Sequence, residues 1–357
     1  MALRALARVD LAAIERNCRV LGAAAGPARL CAVVKSDGYG HGAVPAARAA
    51  LAGGASWIGV ATAGEAAALR AGGIDARLLV LGALSPEELD VALGADADVV
   101  AWSEDFARGA LARGAARVHV KLDSGMGRLG TRDPAEADAV LDALGPAAAG
   151  LMSHFATADD RADGFMDEQL ARFRAWAVPH KARHPDLVLH TANSAATLRD
   201  PDGSRFDMVR CGVAVYGMDP FGVHPDDCGL TPAMTLTSYV AAVKAIAPGQ
   251  SAGYGRRFVA REPTTLATVP IGYGDGYRRA FTNNAEVVIG GRRHPLVGTV
   301  SMDNISVDLG PETDVAVGDE VVLLGGGITA EELARRIDTI NYEITCAISA
   351  RVPRAYA

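Results

Sequence analysis

Along the first 210 residues, several side chains able to do chemistry close short apolar runs: Lys35, Trp102, Lys121, His154, His190 with Asn193 and Ser194, and Arg210. Only four of the 35 basic residues are lysines (Lys35, Lys121, Lys181 and Lys244), and two of these stand at such ends. A lysine at the mouth of an apolar barrel suits Schiff-base chemistry, because desolvation lowers its pKa and frees the amine. The competing reading is a snorkelling lysine in an ion pair.

The elements that must carry these groups alternate. Apolar runs fall at Leu30–Val34, Trp57–Ala61, Leu78–Leu81, Asp98–Ala101, Val118–Leu122, Ala149–Met152, Leu187–Leu189 and Met208–Tyr216. They are short and mostly rich in Val, Leu or Ile, as fully buried parallel strands should be. Between them lie amphipathic stretches: Gly64–Ala71, Pro86–Leu93, Ser103–Arg113, Pro134–Leu144 and Asp163–Arg183. Ser85-Pro86-Glu87-Glu88 supplies a helix start with a cap, Pro at N1 and acids in the first turn. Eight strands alternating with helices predict an α/β fold, a (β/α)8 TIM-type barrel, with catalytic groups at the C-terminal strand ends. On pattern alone, a doubly wound sheet competes with it.

From Thr231-Pro232 the pattern changes. Runs at Thr235–Val243, Thr265–Ile271, Glu286–Ile289, Asn304–Leu309 and Glu320–Leu324 read as strands between Gly, Pro and Asp turns. One late helix, Thr329–Ile337, opens close to a capping box. The expected organisation is a barrel over 10–231 followed by a mainly β C-terminal domain over 232–357, with residues 1–9 able to pack with the latter.

Length agrees, since 357 residues exceed one ordinary domain of about 150. Half the residues are hydrophobic and 22% charged, which excludes a disordered or fibrous chain. A net charge of −7 argues against nucleic-acid and anionic-membrane partners. No apolar run approaches the roughly 18 residues that span a bilayer, and Arg4, Arg8 and Asp10 interrupt any secretory apolar segment at the start. Five scattered cysteines form no Cys-x-x-Cys pair, so no disulfide framework or structural metal site is expected. The chain reads as cytoplasmic.

Ala32-Val-Val-Lys35-Ser-Asp-Gly-Tyr39-Gly-His-Gly42 resembles the pyridoxal-phosphate (PLP) lysine motif of bacterial alanine racemases, a family of barrel-type PLP enzymes. Further matches follow in order: Lys121-Leu-Asp-Ser-Gly-Met-Gly-Arg128-Leu-Gly, Ser153-His154-Phe-Ala-Thr-Ala-Asp159, His190-Thr-Ala-Asn193-Ser194-Ala-Ala and Arg210-Cys-Gly212 leading to Tyr216-Gly. Gly253-Tyr254-Gly255, Gly272-Tyr273-Gly-Asp-Gly, Ser301-Met302-Asp303 and Ile340-Asn-Tyr342-Glu complete the set. The resemblance spans nearly the whole chain.

It implies interconversion of L- and D-alanine, with D-alanine feeding peptidoglycan, in a homodimer whose active sites are shared between chains. Lys35 would hold PLP and act as the base on one face of the α-carbon. Tyr254, from the partner chain, would be the opposite base, assisted by His190 and Arg210, since a free tyrosine has a pKa near 10. Arg210 would face the pyridine nitrogen; an arginine cannot give up its proton, so that nitrogen stays largely unprotonated. Tyr39, Ser194, Gly212, Val213 and Tyr342 would hold the phosphate, His154 would pack on the ring, and Asn193 would lie in the same shell. Arg128 and the backbone N–H of Met302 would bind the substrate carboxylate. Lys121, carbamylated, would orient Arg128, and Tyr273 would line the entrance beside the Ser301-Met302-Asp303 segment.

Three departures stand out. Gly298-Thr299-Val300-Ser301-Met302-Asp303 carries Thr299 where the family usually has an arginine of the substrate corridor. The lysine motif reads Ser36-Asp37-Gly38 in place of Ala-Asn-Ala or Ala-Asp-Ala, and Gly274 replaces a common alanine. Thr299 keeps a racemase of broader specificity in play. Two further functions compete: a metal-dependent barrel hydrolase built on Lys121, His154 and His190, and a non-enzymatic PLP carrier. The hydrolase would need an early His-x-His pair, which this sequence lacks. The carrier would lack the β domain that supplies Tyr254 and Met302.

Overall fold

The computed structural model describes residues 3–199 and 203–357. They fall into two compact units. One holds Ala13–Phe221 and Asp226–Thr231; the other holds residues 3–12, Gly222–Pro225 and Pro232–Ala357.

After β1 (Leu6–Val9), which belongs to the second unit, come eight parallel strands: β2 (Arg29–Val33), β3 (Trp57–Val60), β4 (Arg77–Val80), β5 (Ala97–Ala101), β6 (Val118–Lys121), β7 (Ala148–Met152), β8 (Val188–His190) and β9 (Met208–Cys211). Their order is β8-β7-β6-β5-β4-β3-β2-β9. The ends of this sheet meet where Arg210 N–H donates to Ala192 O (2.8 Å) and Asp207 N–H to Leu189 O (3.0 Å). The result is the nearly closed barrel that the alternation predicts.

Each expected run overlaps one of these strands, but the last strand is shorter than its apolar run suggests. Met208–Tyr216 stops being a strand at Cys211, because Gly212 turns (ψ −88°) into the 3-10 segment Val213–Tyr216. Helices separate the strands, and several starts are set by side chains. Ser85 Oγ accepts from Glu88 N–H (3.2 Å) while Glu88 accepts from Ser85 N–H (2.8 Å), a reciprocal cap. Thr62 and Glu65 do the same, which satisfies donors that a helix start leaves open.

Inside the barrel, Cys31, Trp57, Leu79, Val100, Met152, Val188 and Met208 form one buried cluster, with Leu81 and Trp102 packed against it. Trp102 is thus a wall residue. Alternation along each strand puts Asp98, His119, Lys121, His190 and Arg210 on the same side as this cluster, so a polar thread runs through an apolar interior.

The second unit is a nine-stranded sheet. To β1 it adds β10 (Met234–Tyr239), β11 (Ala242–Ile246), β14 (Thr264–Val269), β15 (Glu286–Ile289), β16 (Arg292–Val297), β17 (Ile305–Gly310), β18 (Glu320–Leu324) and β19 (Arg354–Tyr356), and a hairpin of two short strands, β12 (Ser251–Ala252) and β13 (Phe258–Val259), stands apart. Leu6–Val9 pairs antiparallel with β10 and parallel with β19. The single run Thr235–Val243 splits into β10 and β11. Sequence reading missed β16, whose charged face hides its alternation, though Gly290 and Gly291 (φ 57° and 77°) make the tight turn that joins it to β15.

Two late helices exist where one was expected, Ala330–Arg336 and Asn341–Cys346. Thr329 caps the first (Glu332 N–H to Oγ1, 3.1 Å), but the Glu332 carboxylate pairs with Arg293 and Arg336 instead of closing the box.

Candidate active site

Lys35 does not end a strand. The strand ends at Val33, and Lys35 opens a turn in which Ser36, Asp37, Gly38, Tyr39 and Gly40 all have left-handed φ between 52° and 84°. Each non-glycine residue there costs about 1–2 kcal/mol, so the turn must be held. Gly38 N–H donates to Val34 O (2.8 Å), Gly40 N–H to Ser36 O (3.0 Å) and Gly42 N–H to Asp37 O (2.8 Å). Asp37 Oδ1 accepts from Ala43 N–H (2.9 Å), and Glu65 Oε1 accepts from Ser36 N–H at 2.6 Å. The other Glu65 oxygen takes Ala61 N–H (2.8 Å) and Thr62 N–H (3.1 Å). Glu65 therefore ties the turn after Lys35 to the neighbouring loop, a role its helix-start motif did not reveal.

The turn brings Tyr39 against Gly212. A Cβ on Gly212 would lie 2.3 Å from the Tyr39 hydroxyl, and Ser194 Oγ accepts from Gly212 N–H at 3.0 Å. Tyr39, Ser194, Gly212 and Val213 thus share one small cradle of hydroxyls and N–H groups, suited to an anion. Asn193 sits one residue before Ser194, where its Oδ1 accepts from Ala196 N–H (3.0 Å).

Arg210 is buried and pairs with no carboxylate among the described residues. Its NH1 donates to His190 O (2.8 Å) and His190 Nδ1 (2.7 Å); its NH2 donates to Ser153 O (2.7 Å), Thr191 O (3.1 Å) and His154 Nδ1 (3.2 Å). Among the described residues no acceptor meets its Nε–H. Burial pushes the guanidinium down to about 10, so it stays charged at neutral pH. Burial first, then the charge of Arg210, holds both His154 and His190 well below the ordinary histidine range. Both are neutral, and both aim a lone pair at a cation, which leaves no such lone pair for a metal.

Lys121 closes β6 and is 5% exposed. Burial, then Arg210 and Arg128, push its amine down to about 8. Asp123 stands in the same loop, but its carboxylate is spent on Gly125 and Gly127 N–H groups and Arg132. This shapes the segment that carries the exposed Arg128. Lys35, Lys121, Arg128 and Arg210 all act electrostatically on His154, so the barrel candidates form an electropositive group.

The remaining candidates lie in the second unit. Tyr254 (75% exposed) begins the 3-10 turn Tyr254–Arg256, and its carbonyl accepts from Thr299 Oγ1 at 2.7 Å. Tyr273 and Met302 are also exposed, on two loops joined by Tyr273 N–H to Ser301 O and Gly274 N–H to Met302 O, both 3.0 Å. An ionic group anchors these loops. Buried Asp275 receives Arg4 at 2.7 Å, and Arg351 donates to Asp303 at 2.7 Å. Gly274 has a local reason too, since a Cβ there would lie 2.3 Å from Arg351 NH1. Tyr342 is half-buried on the helix Asn341–Cys346.

The family model described as the alanine racemase N-terminal domain matches residues 9–220, and that of the alanine racemase C-terminal domain matches 233–356. Over 99% of its length the chain is 45% identical to the alanine racemase of Frankia casuarinae, and equally to that of Mycobacterium tuberculosis; it covers 96% of each. Among solved structures, alanine racemase from D-cycloserine-producing Streptomyces lavendulae superposes with a TM-score of 0.93 at 40% identity, covering 100% of this chain and 98% of that one. The biosynthetic alanine racemase of Pseudomonas aeruginosa gives 0.90 at 37% identity, covering 99% of both chains.

Glu65→Ala leaves three backbone donors without their acceptor and should cost about 1–3 kcal/mol of stability; a loss no larger than that of the surface change Glu104→Ala in parallel denaturation would refute the anchoring role. For Lys121, the folded amine titrates near 8 and the unfolded one near 10.4. Between these values the unfolded chain binds more protons, so stability rises with pH there. In CO2-free buffer, wild type should gain up to about 3 kcal/mol relative to Lys121→Met across that window, and a flat difference would contradict a buried free amine.

Proposed function

This chain belongs to the alanine racemase family, and we propose from that premise that it interconverts L- and D-alanine with PLP as cofactor, using Lys35 and Tyr254 as opposed bases. As an enzyme it is an isomerase acting on alanine. The observation that best supports the cofactor is the pairing of a buried Arg210, its Nε–H unspent, with a hydroxyl and N–H cradle at Tyr39, Ser194, Gly212 and Val213. These groups fit the nitrogen and the phosphate of one pyridine phosphate. When bound, PLP supplies an electrophilic carbon for the amino group and a ring that accepts the electron pair left by the α-proton.

The protein residues then divide the remaining work. Lys35 holds the cofactor and, when released, exchanges a proton at one face of the α-carbon through Nζ. Tyr254 of the partner subunit exchanges one at the other face through its hydroxyl; two bases on opposite sides are what inversion requires. Arg210 would face the ring nitrogen and keep its own proton, which would limit electron withdrawal and favour return of the proton over side reactions. His154 would pack on the ring, and Tyr342 and Asn193 would complete the cofactor shell. Arg128 and Met302 N–H bind the substrate carboxylate, while Tyr273 and Asp303 shape its approach.

Lys121 supports this reading through its burial and low pKa. A neutral amine reacts with carbon dioxide, and the carbamate would place a negative charge beside Arg128 in a group otherwise made of cations. The homodimer with shared sites is supported by the exposure of Tyr254, Tyr273 and Met302, large apolar side chains that a partner surface would cover. We assign the product D-alanine to peptidoglycan synthesis and the enzyme to the cytoplasm.

Broader specificity is a second reading, favoured by Thr299, which spends its hydroxyl on the Tyr254 carbonyl and brings no charge. α-Proton exchange in heavy water, followed by NMR for L-alanine, serine, lysine and arginine, tests both. Exchange confined to alanine is the expected outcome; exchange of the long basic side chains would make this a broad-specificity racemase, and none at all would sink the activity. Tyr254→Phe should slow proton abstraction from L-alanine more than from D-alanine, by about 10²-fold or more. Equal residual isotope effects in the two directions would contradict the assignment of faces.

A further inference from the structure

Below the candidate site, Asp98 and His119, which have no role in the proposed chemistry, continue from His190 and Arg210 as one polar thread. Asp98, near the start of β5, is fully buried. Its Oδ2 accepts from Arg77 NH2 (2.7 Å) and its Oδ1 from Arg117 Nε (2.6 Å). His119 Nε2 lies 3.0 Å from Asp98 Oδ2, His119 Nδ1 lies 2.8 Å from His190 Nε2, and His190 Nδ1 lies 2.7 Å from Arg210 NH1.

Donor and acceptor rules leave this thread one direction. Arg210 can only donate, so His190 Nδ1 must be the acceptor. The proton of neutral His190 is then on Nε2 and goes to His119 Nδ1. His119 in turn carries its proton on Nε2 and gives it to Asp98, which two arginines keep ionised. A proton on His190 Nδ1, in either a reversed chain or an imidazolium, would set two donors face to face at 2.7 Å.

The neighbouring strand is cut to let the thread pass. The His119–His190 bond crosses β7 at Gly150, where a Cβ would lie 2.4 Å from His119 Nδ1 and 2.5 Å from Val188 O. The backbone of β7 does not need glycine for its φ there, so the missing side chain serves the side chains passing over it.

We infer that Asp98 and His119 are positioning residues for Arg210: they fix the tautomer of His190, and His190 fixes the guanidinium with its Nε–H left over for the cofactor ring. This rests on the reading of Arg210 as the ring-nitrogen partner. The ionised carboxylate at the far end polarises both imidazoles toward Arg210. Burial keeps both histidines neutral, as the directed chain requires.

The test is long-range nitrogen-15 NMR of histidine-labelled enzyme, with and without PLP, joined to steady-state kinetics. Wild type should show His119 and His190 protonated on Nε2 and bare on Nδ1 in both states. His119→Gln can still accept from His190 and donate to Asp98, whereas His119→Leu and Gly150→Ala break the link. We expect the Leu and Ala variants to lose about tenfold or more in kcat with little change in KM, together with the His190 tautomer bias, and Gln to restore both. Wild-type His190 protonated on Nδ1 would overturn the inference, as would a Gln variant as impaired as Leu. Failure of the cofactor reading is seen separately, as absence of a PLP absorption band in wild type that Lys35→Ala removes.

Discussion

A guanidinium without a carboxylate, buried at the end of an apolar barrel, is the constraint on which the rest of the site depends. Desolvating such a charge costs several kcal/mol. Five acceptors offset this, each charge-assisted bond contributing about 1.5–3 kcal/mol: three backbone carbonyls and two imidazole nitrogens around Arg210. None of the five can take the proton away in exchange for a charge of its own, as a carboxylate would. The positive charge therefore stays uncompensated, and with Lys35, Lys121 and Arg128 near His154 it makes a site that favours anions. A phosphate and a substrate carboxylate are the anions the proposed chemistry brings.

The second constraint is mechanical. In the proposed chemistry Lys35 bonds a cofactor and then moves a proton, which needs its backbone fixed while its amine is free. Five consecutive residues in left-handed geometry reverse the chain directly after Lys35, and Glu65 and Asp37 hold that reversal from either side. Three of the five are not glycine, so strain gathers in the segment on which the proposed chemistry turns. The same reversal delivers Tyr39 to Gly212, so one turn serves both the lysine and the anion cradle.

How much of this could be read in the sequence depends on the kind of interaction. The barrel was legible, because buried parallel strands have to be largely apolar, and each of the eight runs overlaps one. Position at a strand end drew attention to Lys121 and His190. Lys35, however, follows its strand by a residue and sits on a left-handed turn, which Ser36 and Asp37 do not announce. Asp98 and His119 escaped notice for a different reason. Each lies in a short, mostly apolar strand, Ala97–Ala101 or Val118–Lys121, and a polar residue in such a strand reads as a satisfied core group until its partner on another strand is known. β16 was hidden by Arg292, Arg293 and His294, whose charges mask the alternation of a strand exposed on one face.

Absent side chains carry as much information as present ones. Gly150, Gly212 and Gly274 do not occupy left-handed backbone, so a positive φ is not what calls for glycine there. What alanine would not do is leave room: its methyl would meet His119 Nδ1, the Tyr39 hydroxyl or Arg351 NH1 at 2.4, 2.3 and 2.3 Å. Each glycine thus yields its volume to a polar group from another segment: the thread to Arg210, the anion cradle and the anchor of the Tyr273 and Met302 loops. Arg351 ends a flexible side chain and could shift, so Gly274 is the most replaceable of the three. Gly150 is hemmed in by backbone as well as by His119, so it is the least replaceable of the three.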